Sequence, residues 1–276
     1  MSKIPYIGIV GVKNIEEAIS ASASIHYVLN NFPISHRGQV GVQVTTRTLR
    51  GEKTESKRNP VVTDIPEIFR AALATRDDIF TAVHFTTREY PALYDSVCKI
   101  FDMENMYADN ICRGLQLNMQ FGNLHYGMME KIRIRYPELQ IIMQLHRTAL
   151  ETMSHGAIVF GLKSYNNCID YVLIDPSGGR GEELVPASCV SLAERIQEHN
   201  DLAIGFAGGF NQFNVARLVE EISGWLGSND FSIDAESGLR NKLGVGYGND
   251  TYSPKKALAF FHNAAATFMK LQKTAC

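Results

Sequence analysis

The sequence predicts an α/β fold, a closed barrel of eight parallel strands in a single domain, and three observations favour it. Short apolar runs recur along the chain, and most are followed by a segment with the apolar spacing of a helix. Several runs contain no polar residue, which suits strands covered on both faces. The length of 276 residues is close to the roughly 250 of a one-domain (β/α)8, or TIM, barrel.

Eight runs are predicted as strands because each ends in a polar or glycine-rich turn. They are Tyr6–Val12, Ser24–Asn30, Phe80–Phe85, Gly114–Asn118, Gln140–Leu145, Tyr171–Asp175, Ala203–Ala207 and Phe231–Asp234. The segments between them repeat apolar residues at the helical period. The predicted helices are Ile15–Ala23, Pro66–Ala74, Tyr90–Phe101, Tyr126–Tyr136, Thr148–Tyr165, Cys189–His199, Asn211–Leu226 and Pro254–Leu271. Asn211 and Ser253 stand where N-caps belong.

One long segment, residues 32–64, interrupts this alternation after the second predicted strand. It exceeds the usual connection of about 2–6 residues, so we interpret it as an inserted loop or hairpin at the catalytic rim. Val40, Val42 and Val44 alternate with other residues, and Gly51 is a candidate hairpin turn. A lid or a contact in a homo-oligomer would both fit. Its basic residues predict a solvated loop, because acidic residues interrupt them and no aromatic residue lies among them. They are Arg47, Arg50, Lys53, Lys57 and Arg58.

Composition narrows the classes of partner. The net charge is −2 and the isoelectric point is near 6.5, which gives no overall field for nucleic acid or an anionic membrane. We therefore expect neither partner. No apolar run approaches the roughly 20 residues of a membrane span, and residues 1–11 show a strand pattern rather than a cleavable signal, so we expect a cytoplasmic location. The 5 cysteines are scattered and odd in number, which favours reduced thiols. No metal-binding cluster or CxxC pair is present, so we expect no metal and no cofactor.

Three late strand ends are rich in glycine, and they read IDPSGGRG, FAGGFN and IDAESGLR. Backbone N–H groups in such turns form a cradle for a phosphate, and barrels commonly bind phosphate after their last strands. The alternative is that the turns need glycine for their own geometry. The sequence predicts a phosphorylated small-molecule ligand. The predicted contacts are Gly178, Gly179, Gly208, Gly209, Ser237 and Gly238.

The order of these motifs resembles that of the phosphoribosylanthranilate isomerase family. The resemblance is carried by GIVGVKN at residues 8–14, LQLNM at 115–119, LIDPSGGRG at 173–181, GGFNQFNV at 208–215 and IDAESGLR at 233–240. These motifs follow the chain in register but cover about a fifth of it. The resemblance implies a TIM barrel and an Amadori rearrangement of a phosphoribosyl compound. In that reaction a general acid opens the sugar ring and a base removes the C2 proton.

Site roles follow from the same resemblance. It implies that Asp175 is the acid, that Arg37 holds a substrate carboxylate, and that Asp234 faces the substrate. Asn118 stands where the family has a histidine of the fourth strand, and we assign it to substrate binding. The family's base is a cysteine, and this chain has Val10 at that position. An Asx-turn for Asp175, a surface role for Arg37 and a backbone-bonded Asp234 are the structural alternatives.

Another group must then supply the base. His146 follows the fifth strand, His84 lies in the third, and Lys13 lies three residues beyond Val10. A histidine near its ordinary pKa of about 6.5 is a suitable base, and we select His146 as the catalytic candidate beside Asp175. Both histidines could instead be structural, and Lys13 could be a solvated charge.

The favoured function is therefore an isomerase-like barrel that binds a phosphorylated sugar or phosphoribosyl compound. It would be an aldose–ketose, Amadori-type isomerase with an altered base or substrate. Loss of the cysteine also allows a non-catalytic protein that binds a phosphorylated ligand. A phosphosugar lyase or hydrolase on the same barrel is the third alternative.

Overall fold

The computed structural model describes residues 3–52, 56, 58–122, 124–178, 180–245 and 248–274. Eight parallel strands close into a barrel, in which each strand pairs with the next and the last pairs with the first. The predicted fold class is confirmed. The strands are β1 Tyr6–Val10, β2 Arg37–Thr45, β3 Phe80–Thr86, β4 Gly114–Leu117, β5 Gln140–His146, β6 Tyr171–Asp175, β7 Ala203–Ala207 and β8 Ser232–Ala235.

Helices follow the strands and cover the outside of the barrel. They are α1 Ile15–Asn31, α2 Thr46–Leu49, α3 Ile65–Thr75, α4 Leu93–Phe101, α5 Tyr126–Arg135, α6 Arg147–Thr152, α7 His155–Lys163, α8 Pro186–His199, α9 Val215–Leu226 and α10 Pro254–Thr274. An antiparallel hairpin, β9 Arg240–Lys242 with β10 Asp250–Tyr252, precedes α10 and was not expected. Within the described residues, no helix combines the length and apolar character that a membrane span requires.

The second predicted strand is wrong. Residues 24–30 continue α1, and β2 lies inside the segment that we interpreted as an insertion. In α1, Ala18, Ala21, Ser22, Ile25 and Val28 are all buried, which is a spacing of 3 and 4 that only a helix brings to one face. The alternating valines at 40, 42 and 44 belong to β2 and pack in the core under the helices.

The connection from β2 to α3, residues 46–64, is still long, and its described residues contain no strand of the expected hairpin. α2 begins it, and Gly51 follows that helix with a positive φ of 73°. Lys53 and Lys57 lie outside the described residues. Arg58 is buried, which contradicts the solvated loop predicted for it.

Two helix predictions need smaller corrections. The predicted helix Thr148–Tyr165 is divided into α6 and α7, and the Ser154 side chain accepts a hydrogen bond from the N–H of Ala157 at the start of α7. At the other site, α9 begins at Val215 rather than at Asn211. The Asn211 side chain instead accepts hydrogen bonds from the N–H groups of Phe213 and Asn214 in the preceding turn.

The amino end of the barrel interior is filled by apolar and aromatic side chains. Tyr6, Phe80 and Tyr171 pack with their ring centroids 5.5–6.5 Å apart. The Arg37 guanidinium lies 3.7 Å from the centre of the Phe80 ring and donates to the Tyr171 hydroxyl and to Gln140. Arg37 therefore closes the amino end of the barrel, opposite the end where a substrate contact was predicted.

A buried ionic network joins the β2–α3 connection to the hairpin after β8. Arg58 donates to both carboxylate oxygens of Asp250, and Arg240 donates to the same carboxylate. Arg240 also donates to the carbonyl of Gly11 at 2.9 Å. Burial alone would raise the pKa of Asp250, but the hydrogen bonds from both arginines outweigh burial and leave that pKa below its ordinary value.

Replacement of Asp250 by asparagine should destabilise the fold strongly, because buried Arg240 would lose its counter-charge and buried Arg58 would keep only Glu236. Removing one partner of a buried ion pair costs about 3–5 kcal/mol, so urea unfolding should show a loss of that size. Asp109→Asn, which changes an exposed carboxylate, is the matched control and should leave the free energy of unfolding nearly unchanged. An equally small effect at Asp250 would contradict a structural role for the network.

Candidate functional site

A narrow cavity opens at the carboxyl ends of the strands, the usual site of activity in this architecture. It has a volume of about 90 Å³. Its walls come from the strands and the turns that follow them. The residues that line it are Val10, Gln43, His84, Thr86, Gln116, Asn118, Gln144, Leu173, Asp175, Ser177, Gly181, Ala207, Gly208, Gly209, Phe210, Asp234, Ala235, Glu236, Ser237 and Gly238.

Asp175 ends β6, and its carboxylate is held by three donors. The N–H of Ser177 lies 3.0 Å and the hydroxyl of Ser177 lies 2.7 Å from Oδ1, while Nε2 of Gln144 lies 2.7 Å from Oδ2. The turn at Ser177 is the Asx-turn considered as an alternative for Asp175. Asp175 forms this turn and also lines the cavity, because the same carboxylate borders the open space.

Buried amides extend this contact around the barrel wall. Gln116 of β4 donates to Oε1 of Gln144 at 2.9 Å, and Gln144 of β5 donates to Asp175. Strand side chains alternate between the two faces, so Gln116 and Gln144 point inward, as do Asn118 and His146 two residues later. These amides fix the carboxylate of Asp175 in one orientation.

Asp234 of β8 lies beside the same cavity in a different environment. Only 6% of its surface is exposed, and neither carboxylate oxygen has a hydrogen-bond partner among the described residues. Burial, followed by the negative charges of Asp175 and Glu236, raises the pKa of Asp234 to about 8. A Cβ on Gly8 of β1 would overlap Oδ1 of Asp234, so the glycine makes room for this carboxyl. The structural alternative, a backbone-bonded Asp234, is not observed.

His84 of β3 is a buried neutral imidazole. Its Nε2 lies 3.0 Å from Nε2 of Gln39, which is the donor of that contact when the ring nitrogen is unprotonated. Burial lowers the pKa of His84 to about 3, which makes it a weak base. A Cβ on Gly41 would lie 2.8 Å from Nε2 of His84, so Gly41 leaves space for the ring.

The three glycine-rich turns form one wall of the cavity. Gly208 and Gly209 have positive φ values of 120° and 66°, and a Cβ on Gly209 would lie 2.7 Å from the backbone of Glu182. A Cβ on Gly238 would overlap the carbonyl oxygen of Phe210. Close packing between neighbouring turns therefore requires these glycines, whether or not a ligand is bound.

Backbone donors remain free on this wall. Within the described residues, the N–H groups of Gly209, Ser237 and Gly238 make no hydrogen bond. Gly179, a fourth predicted contact, lies outside the described residues, and Gly178 lies beside His146 rather than on this cavity. The phosphate contacts predicted at Gly208, Gly209, Ser237 and Gly238 are thus brought together.

The negative charge of Glu236 near this wall is balanced by Arg58 of the β2–α3 connection. Arg58 forms an ion pair with Glu236 and donates to the hydroxyl of Ser237 at 3.3 Å. Among the described residues, no lysine or arginine lines the cavity itself. Arg58 lies directly behind the wall and offsets the carboxylate of Glu236.

A second groove of about 550 Å³ adjoins the cavity and shares Thr86 and Asn118 with it. His146, the predicted catalytic histidine, lines this groove and not the narrow cavity. The backbone pairing sets His146 opposite Asp175, so the two residues are neighbours with different exposures. Lys13 lines neither space, and its N–H donates to Glu17.

The inward-facing amides were not predicted from the sequence, and Arg37 does not lie at the cavity where a substrate contact was predicted for it. Gln116 and Gln144 stand two residues before Asn118 and His146 on their strands, and the strand period of two was the available signal. Arg58 and Glu236 gave no such signal, because their pairing joins parts of the chain 178 residues apart. Arg37 lies at the amino end of β2. The prediction missed this because it placed the second strand at residues 24–30.

Comparison with solved structures finds barrels of the same architecture. KGPDC from Streptococcus mutans superposes with a TM-score of 0.53 at 12% identity, over 96% of this chain and 99% of that chain. Phospho-2-dehydro-3-deoxyheptonate aldolase from Thermotoga maritima gives 0.60 at 10% identity, over 99% and 69%. The N-terminal domain of a putative aldolase from Bacteroides vulgatus gives 0.52 at 13%, over 98% and 87%.

At these identities the comparison establishes the fold alone. No family model matches the chain. No curated protein matches it either. The chain is therefore a TIM barrel whose chemistry must be argued from its own cavity.

Stability of Asp234→Asn should differ from the wild type in a pH-dependent way. The folded wild type keeps a proton on Asp234 up to a pKa of about 8, whereas an unfolded chain releases it near 3.9. The proton on Asp234 should therefore stabilise the wild type fully below the unfolded-state pKa of about 3.9. This stabilisation should be lost as the pH rises from there through the folded-state pKa of about 8. Asparagine does not titrate, so urea unfolding should favour the variant increasingly from pH 4 to pH 9, by on the order of a few kcal/mol.

The matched control for this titration is Asp230→Asn, at an exposed carboxylate just before β8. Its difference from the wild type should stay constant over the same range of pH. A constant difference for Asp234→Asn as well would show that Asp234 is ionised in the folded protein.

Proposed function

We propose that this protein is an aldose–ketose isomerase of a phosphorylated sugar or phosphoribosyl compound. One observation carries the proposal: free backbone donors and two buried carboxyls, Asp175 and Asp234, border the same cavity. The donors suit a phosphate and the carboxyls suit proton transfer at a carbonyl-bearing sugar. Isomerisation needs both functions and no further reactant.

The phosphate would bind at the wall formed by Gly209, Ser237 and Gly238. Three N–H groups without partners offer the donors that a phosphate accepts, and glycine permits its close approach. Arg58 supports this placement, because it neutralises Glu236 and adds a guanidinium behind Ser237. The carboxylates nearby would otherwise oppose an anion.

The sugar would then lie over Asp175 and Asp234, and its far end would point towards Thr86 and Asn118. The narrow cavity is small, and the adjoining groove is about six times larger. A substituent on the sugar can extend into that groove beside His146. This geometry favours a phosphoribosyl compound that carries a second group over a bare sugar phosphate.

The resemblance to phosphoribosylanthranilate isomerases supports the same substrate class. The five motif segments on which it rests all contribute residues to this cavity, among them Val10, Asn118 and Asp234. Val10 contributes only hydrocarbon where that family has its basic cysteine. The base in this chain must therefore be another group, and the reaction has diverged in that respect.

The names of the structural neighbours agree with phosphosugar chemistry at the level of analogy. One neighbour is named as a phospho-2-dehydro-3-deoxyheptonate aldolase. Barrels of one fold carry many chemistries, so this likeness supports the presence of a phosphate site more than any particular reaction.

Hydrogen exchange tests the proposal across a whole class of substrates at once. Wild-type protein in D2O, incubated with a panel of aldose phosphates and with phosphoribosylanthranilate, should incorporate deuterium at C1 or C2 of one of them, detected by NMR. Asp175→Asn should lower the rate by about 10²–10⁴-fold, the usual contribution of a proton-transfer group. Asp230→Asn, at an exposed carboxylate just before β8, is the control and should exchange at the wild-type rate.

Binding of the phosphate end is tested separately by Ser237→Asp. A carboxylate at this wall would repel an anion, so calorimetry should show the affinity for inorganic phosphate falling at least about tenfold. Ser188→Asp adds the same charge at an exposed position of α8 and should leave the affinity unchanged. Phosphate binding that disappears in Ser237→Asp, together with no exchange of any sugar, would identify a non-catalytic binding protein instead.

A further inference from the structure

Two buried acceptors face each other across Gly8 without a donor between them. Both oxygens of Asp234 and Oε1 of Gln39 lack a hydrogen-bond partner among the described residues. The space that a Cβ of Gly8 would occupy touches Asp234 and lies 3.2 Å from Oε1 of Gln39. Two buried acceptors that face each other are costly unless one of them carries a proton. A carboxylic acid at Asp234 supplies that missing donor.

The charged surroundings of Asp234 favour the same state. Asp175 faces it from β6, Glu236 follows it on the chain, and Tyr6 faces it from β1. His84 lies behind Gln39 as a neutral ring. The guanidinium of Arg58 is paired with Glu236 and not with Asp234. Every group that faces Asp234 is thus neutral or negative, and none of them stabilises its ionised form.

Asp175 differs from Asp234 in its hydrogen bonds. Three donors hold the Asp175 carboxylate, whereas none of the described residues donates to Asp234. The two residues lie at one level of the barrel, on alternate strands, with Ala207 of β7 paired beside Asp234. Pairs of carboxyls in such unequal environments divide the roles of acid and base.

We propose that Asp234 enters the reaction protonated as the general acid and that Asp175 enters it ionised as the general base. This assignment rests on the proposed isomerase function and makes Asp234 a catalytic residue. It also reverses the role that resemblance implies for Asp175. Asp234 thereby supplies the second proton-transfer group that the chain lacks at Val10.

The protons balance over the two halves of the reaction. First, Asp234 gives its proton to the atom doubly bonded to C1 of the open-chain sugar, which is the carbonyl oxygen of an aldose or the imine nitrogen of a phosphoribosyl amine. Asp175 removes the proton from C2 in the same step, and an enediol or enaminol with a C1=C2 double bond forms. Second, Asp175 returns a proton to C1 while ionised Asp234 takes the proton of the C2 hydroxyl. The ketose is released and both carboxyls regain their starting states, so no co-reactant is consumed.

Carbon-13 NMR tests the resting state directly. In protein labelled at the aspartate side-chain carboxyl, the resonance that disappears in Asp234→Asn should be that of a neutral acid at pH 6 and titrate near pH 8. Asp175→Asn should move this midpoint to lower pH, because one of the facing negative charges is gone. A resonance that is already ionised at pH 6 would overturn the assignment.

Kinetics then test the role. Deuterium exchange into the sugar should fall by about 10²–10⁴-fold in Asp234→Asn, and wild-type kcat/KM should decrease above the pH at which Asp234 loses its proton. Asp230→Asn is the control and should keep the wild-type rate and profile. Exchange that survives in Asp234→Asn overturns the assignment alone. Wild-type protein that exchanges no sugar proton refutes the proposed function, and the assignment fails with it.

Discussion

The pairing of the last strand with the first determines most of what this protein can do. β8 meets β1 with Gly8 opposite Asp234, and only glycine at that position leaves room for the carboxyl. Closure of the barrel therefore buries the carboxyl of Asp234 against β1, and none of the described residues of β1 donates a hydrogen bond to it. Any other residue at position 8 would push the carboxyl out of its place or open the seam.

The barrel interior changes character along its axis. Rings of Tyr6, Phe80 and Tyr171 fill the amino end, while amides and carboxyls occupy the carboxyl end. The apolar layer excludes water from below, so the polar groups above it interact in a medium of low dielectric. This arrangement explains how two aspartates of one cavity acquire opposite properties. One accepts hydrogen bonds from its own turn and from Gln144, and the other has neighbouring negative charges and no hydrogen-bond donor among the described residues.

The sequence determined the fold class and most of the strand ends, because buried parallel strands and amphipathic helices have distinct periods. It misplaced one element for a local reason. SIHYVLN in α1 is rich in β-branched and aromatic residues, and that composition concealed the helical spacing from Ala18 to Val28. Asp175 and Asp234 could be located from their positions after apolar runs. Their difference in environment could not, since it depends on Gln144, Gly8 and Glu236, which meet only in the folded chain.

The buried pair of Arg58 and Asp250 has a consequence for synthesis of the chain. The two residues are separated by 192 positions, and ribosomes add about 5–20 residues per second. Arg58 is therefore synthesised about 10–40 s before Asp250. During that time it favours a hydrated, open connection after β2. We therefore expect the first strands to remain loosely assembled until the β9–β10 hairpin has been synthesised. A barrel fastened in this way closes only after residue 250 has been synthesised, and fragments that stop before residue 250 should depend on chaperones.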